Sequence, residues 1–180
     1  MPLATILAHI SNQGRFDMKA LLVLVVLGAA AYFGYQHFQA SGDAVPNEIE
    51  DPVYADIRLD MHVAGRDIQF ALFGKMADRA DCDRRAERVW GKVIDGCKEC
   101  VKQTSVCKSE LEPRYQRLFD DTPIHSTYVS FNRGADTERD GRMVIFGLTA
   151  DEGDAICAQA VSRFQTNYAG TIECVHARRD

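Results

Sequence analysis

The pattern of apolar and polar positions divides the chain into three stretches. From Ala20 to Phe33 the sequence reads ALLVLVVLGAAAYF, without a charged side chain, and the run continues to Phe38. As a helix, residues 20–38 would extend about 28 Å at 1.5 Å per residue. A bilayer hydrocarbon core is about 30 Å thick, so the pattern predicts a transmembrane signal-anchor. Arg15 and Lys19 precede the run, whereas Asp43, Glu48, Glu50 and Asp51 follow it. Basic flanks stay on the cytoplasmic side, which places residues 1–19 inside and everything after the run outside. A second reading is a cleaved secretory leader that starts at Met18-Lys19 and is cut near Ala29-Ala30-Ala31. Either way the remainder of the chain crosses a membrane, into the periplasm or the extracellular space. Residues 39–52, QASGDAVPNEIEDP, are polar, acidic and interrupted by Pro46 and Pro52, as a linker is. The third stretch, residues 53–180, is the outer domain.

Within that domain the period changes repeatedly. Ile57, Leu59, Met61 and Val63 alternate with polar residues, Ala64-Gly65-Arg66 can turn the chain, and Ile68, Phe70 and Leu72 alternate again. The pattern predicts a hairpin over 54–74. Ala86, Val89, Trp90, Val93 and Ile94 then fall at helical spacing, predicting a helix over 79–95 that Gly96 can end. Residues 97–108 are polar and cysteine-rich without a clear period. A short helix is predicted over 110–119, with Pro113 in its first turn. Strands are predicted over 127–131 and 143–148, on either side of the charged connection NRGADTERDG. Thr149 and Glu152 have the spacing of a capping box, so a helix starts there, and Thr171–His176 supplies a last strand.

With the first strand and the 97–108 insertion set aside, the order is βαββαβ. The expected fold class is therefore α+β: a ferredoxin-like sheet covered by two helices, with an extra N-terminal strand and a cysteine-rich insertion. No internal repeat is visible in the sequence.

Charge narrows the function. The whole chain carries a formal −5, and residues 53–180 hold 19 Lys+Arg against 21 Asp+Glu. A nucleic-acid binder would show a basic footprint, and none is present. Arg79, Arg84, Arg85 and Arg88 form a basic stripe on the first predicted helix. Read as a solvated surface, its Arg84, Arg85 and Arg88 are candidates for contacting an acidic protein partner, and the exposed edge of the sheet is the other surface a protein partner could use.

The six cysteines, Cys82, Cys97, Cys100, Cys107, Cys157 and Cys174, all lie in the outer domain. An even count outside a membrane reads as a disulfide framework. Helix and strand rises put Cys157 and Cys174 at similar heights, which predicts a Cys157–Cys174 bridge. An intact first helix separates Cys82 from Cys97 by about 22 Å, beyond disulfide reach. Two pairings remain for the other four: Cys82–Cys107 with Cys97–Cys100, or Cys82–Cys100 with Cys97–Cys107. Cys97-Lys98-Glu99-Cys100 also invites a redox reading. A reactive dithiol, however, usually opens a helix, where the dipole favours the thiolate, and this pair follows one. Zinc would lack its second ligand pair, and covalent haem would need a histidine where Val101 stands.

His62, His125 and His176 stand apart from other potential ligands, and no nucleophile elbow, phosphate loop or HExxH occurs. The acidic groups Asp78/Asp81/Asp83 and Asp151/Glu152/Asp154 coincide with predicted helix starts, where the dipole favours negative charge. No catalytic, cofactor-binding or metal residue is therefore assigned and no cofactor is expected. The expected function is a membrane-anchored envelope domain that binds or scaffolds a partner, with a Cys97/Cys100 thiol-disulfide oxidoreductase as the alternative.

Overall fold

The computed structural model describes residues 49–89 and 100–179. The predicted anchor at 20–38 lies outside them. Among the described residues no helix is long and apolar enough to cross a membrane.

The first hairpin is regular. Strands β1 (Val53–Val63) and β2 (Arg66–Met76) pair without interruption from Val53↔Met76 to Val63↔Arg66. Their two-residue turn places Ala64 at φ 51° and Gly65 at φ 78°, the left-handed pair that matches strand twist. Helix α1 (Arg79–Val89) starts where Asp78 caps it. The Asp78 carboxylate accepts from the Asp81 amide at 2.7 Å, and its carbonyl accepts from the Cys82 amide at 3.0 Å. The expected extension of this helix to residue 95 and its Gly96 cap lie outside the described residues.

The cysteine-rich segment is not a loop insertion throughout. Residues Cys100–Lys108 form β3, antiparallel to β1, with a register shift at Asp60/Met61. The strand escaped its pattern because its positions on the helix side are Gln103, Ser105 and Cys107, opposite Leu59, Ile57 and Ala55. At a sheet edge these positions need no large apolar side chain.

Helix α2 (Pro113–Gln116), with Pro113 in its first turn, runs into a 3-10 turn over Arg117–Asp120. Strands β4 (Tyr128–Asn132) and β5 (Asp140–Phe146) follow as a second hairpin. Helix α3 (Ala150–Phe164) opens with the predicted capping box of Thr149 and Glu152. A 3-10 turn, Gln165–Asn167, then leads into β6 (Thr171–Val175).

The sheet order is β3-β1-β2-β5-β4-β6, with every neighbouring pair antiparallel. The α+β class holds, but the ferredoxin-like arrangement does not. That arrangement places a strand of the other half between the two strands each helix joins. Here α1 joins β2 to β3 around β1, and α3 joins β5 to β6 around β4, so the inserted strand comes from the same half. Two ββαβ units lie side by side, although no sequence repeat announces them.

The strand alternation sorts two cores. On one face Ile57, Leu59, Met61, Ile68, Phe70, Val129, Phe131, Met143 and Ile145 meet Val89 of α1 and Cys157, Ala160 and Phe164 of α3. On the other face the α2 segment packs Leu111, Tyr115 and Leu118 against Tyr54, Ala71, Phe73, Tyr128 and Val144.

Candidate functional site

Three carboxylate-centred clusters bring chemistry-bearing side chains together in the domain. The first lies where α1 begins. Asp81, Arg85 and Arg139 are all buried. Arg85 Nε donates to Asp81 at 2.8 Å, and Arg139 Nε donates at 2.6 Å. Burial alone would raise the Asp81 carboxyl, but the hydrogen bonds from Arg139 and Arg85 outweigh it and hold the group below the usual carboxylate range. Both arginines also bind backbone: Arg85 reaches the Thr137 carbonyl, and Arg139 reaches those of Asp136 and Glu138. Buried Glu138 extends the cluster, accepting from the Gly134, Ala169 and Gly170 amides.

The second cluster lies on the opposite face of the sheet. Buried Asp56 accepts two bonds from Arg58, at 2.7 and 2.8 Å, and one from Lys108 at 2.7 Å. Burial would raise its carboxyl too, and the same two cations lower it. The Arg58 guanidinium stands 4.6 Å from the Tyr115 ring centroid, so the ion pair also fastens the α2 segment to the sheet. Arg142 does the same deeper in, donating to the carbonyls of Leu118, Phe131 and Gly141.

The third cluster is at the surface. Asp154 Oδ1 accepts from the Thr127 hydroxyl at 2.6 Å and is 2.9 Å from His176 Nδ1, while Oδ2 accepts from Arg179 at 3.0 Å. The Thr127 bond, then the His176 bond, lower the Asp154 carboxyl. A hydrolytic triad places histidine between the acid and the hydroxyl. Here the carboxylate is central, so the arrangement ties the chain's end to α3 and does not activate Thr127.

The cysteines among the described residues are disulfide-bonded. Cys82–Cys107 joins α1 to β3 with Cα atoms 6.1 Å apart, and Cys157–Cys174 joins α3 to β6 at 5.8 Å. The second was expected, and the first selects one of the two open pairings. Cys100 is also disulfide-bonded and opens a strand, not a helix. Cys97 lies outside the described residues, and among those described no cysteine is free.

The arginine stripe is corrected at its centre. Arg85 has no exposed surface, because it sits one turn after Asp81 on the inward face of α1. Arg84 is exposed and Arg88 half-buried, so these two remain on the helix surface. The three candidates therefore do not form one patch. His62, His125 and His176 are all exposed, and no group of metal-ligating residues converges among those described.

One feature was not visible as a pattern. Val101, 76% exposed, and Val106, 44% exposed, both lie on β3, and β3 is an outer strand of the sheet. Only β1 pairs with it among the described strands, so its other rim is open there. The signal would have been the edge position itself, which a single strand's sequence does not reveal.

No protein family, curated protein or solved structure matches the chain.

Proposed function

We propose that residues 53–180 form an extracytoplasmic domain, tethered by residues 20–38, that binds or scaffolds a protein partner without catalysing a reaction. The observation that carries this reading is that the five cysteines among the described residues are all disulfide-bonded. Stable structural disulfides belong to oxidising compartments, and the apolar run supplies the route there. The buried charged clusters favour binding over chemistry. Asp81 is clasped by Arg85 and Arg139 with Arg84 3.7 Å away, Asp56 by Arg58 and Lys108, and Arg142 is held by backbone carbonyls.

The open rim of β3 is the surface best suited to a partner, because strand addition would use its backbone groups and cover Val101 and Val106. The linker 39–52 would keep this surface within a few tens of ångströms of the bilayer, on the order of 5–6 Å times the square root of its length. A reporter fused after Asp180 tests the compartment: activity outside the cytoplasm is expected, and activity only within it overturns the reading. A photo-crosslinker at Val106 tests the surface. The account expects partner adducts that Val101→Lys abolishes; adducts that instead follow a probe at Arg84 or Arg88 would move the site to the helix.

A further inference from the structure

The two halves make one contact twice, in opposite directions. Asp81 is the third residue of α1 and Glu152 the third of α3. In each case the preceding cap, Asp78 or Thr149, accepts from the third residue's amide, at 2.7 and 3.3 Å. Each carboxylate also accepts from a backbone amide behind the helix, that of Ala77 or of Thr149. Each is then gripped by an arginine from the start of the second strand of the other half's hairpin. Arg66, the first residue of β2, reaches both Glu152 oxygens at 3.0 and 3.1 Å. Arg139, immediately before β5, reaches Asp81 at 2.6 Å.

We infer that the domain is two copies of one ββαβ unit joined in tandem, and that the halves recognise each other as a pseudo-two-fold pair. Each unit presents the same surface to the other: the edge of its second strand, a hairpin-end arginine and a helix-start carboxylate. The sheet carries the same symmetry. Strands β2 and β5 pair antiparallel from Gln69↔Phe146 to Lys75↔Asp140, as two copies of one edge meet around a two-fold axis. Both helices cover the same face. Each half has its own disulfide from helix to third strand, and in both the strand cysteine pairs with a helix-facing residue of the first strand, Ala55 or Val129. The kind of partner this surface fits is thus another ββαβ unit. The second hairpin's longer connection, residues 133–139, explains why the halves match in role and not in residue spacing.

The test uses the full chain in mild detergent, with a protease site inserted between Ser109 and Glu110 and cut after folding. The halves are expected to co-elute as one 1:1 particle, yet to run as two bands in SDS without reductant, because neither Cys82–Cys107 nor Cys157–Cys174 crosses the cut. The α2 segment also touches both halves, so the latches are tested separately. Arg139→Ala is expected to raise dissociation of the cut halves at least tenfold. Arg66→Ala, which is safer for folding, is expected to raise it about twofold, and Arg66→Glu combined with Glu152→Arg should restore association. Halves that separate on cutting in native buffer would overturn the inference, as would halves whose association neither arginine affects.

Discussion

In the first half, the helix-start carboxylate Asp81 is buried between Arg85 and Arg139. In the second half, Glu152 meets Arg66 at the surface, with side chains 37% and 45% exposed. The bonding pattern is alike and the surroundings are opposite. A buried carboxylate that loses its charge withdraws the counter-ion it offers to Arg85 and Arg139 in a low-dielectric site. An exposed one is replaced by water and screened by salt. One local device is therefore expected to weigh heavily on stability in the buried half and little in the exposed one, with burial deciding which.

The largest expected effect breaks that comparison directly. Asp81→Asn should cost about 3–5 kcal/mol of unfolding free energy, while Glu152→Gln should cost no more than about 1 kcal/mol. Urea unfolding measures both, and equal losses would mean that burial is not the deciding difference. The disulfides, in contrast, should make the halves look alike. They close loops of 25 and 17 residues. Cys82→Ser with Cys107→Ser, and Cys157→Ser with Cys174→Ser, should each cost about 3 kcal/mol in the chain-entropy view. Thermal unfolding of the two double variants checks this, and a several-fold disparity would show that strain or residual structure differs between halves.

Acid sharpens the comparison further. The carboxyls of Asp81 and Asp56 lie below the usual range in the folded protein, against about 3.9 for an unfolded aspartate. A depressed carboxyl contributes stability above its unfolded value and loses it as the pH falls toward the folded one. Stability should therefore be flat above about pH 5 with respect to these groups and fall below about pH 4. In Asp81→Asn, already weaker at neutral pH, the acid-dependent part should shrink. Titrating the urea midpoint between pH 2 and 6 reads both.

The smallest effect concerns the hairpin tips, where the first half has a two-residue turn and the second a longer connection. Ala64 holds a left-handed φ of 51° without a side chain that favours it. Ala64→Asn should gain up to about 1 kcal/mol in a turn of this kind. A loss measured by thermal unfolding would show that this tip is not the limiting turn.

Much of the fold was legible, for identifiable reasons. The alternation of Ile57, Leu59 and Met61, the Thr149–Glu152 spacing and the heights of Cys157 and Cys174 are local signals, and local geometry fulfilled them. What escaped depends on partners distant in sequence. The strand β3 lacked a pattern because β1 and a disulfide, not large apolar side chains, hold it in place. Arg85 looked solvated beside Arg84 and Arg88, since nothing near it in sequence announces Arg139 and the Thr137 carbonyl. The twofold arrangement was hidden because it lies in strand order and in paired roles, such as Asp81/Arg139 and Glu152/Arg66, and not in repeated residues. The candidate surface followed the same rule: valines at 101 and 106 acquire meaning only once β3 is outermost.

Peptide mapping without reductant, on protein taken from the cells that make it with thiols blocked at lysis, tests the core of the account. Linked peptides containing Cys82 with Cys107 and Cys157 with Cys174 are predicted, each bridge within its own half. Blocked free thiols at these positions would contradict the oxidising location, and a bridge joining one half to the other would contradict the paired architecture.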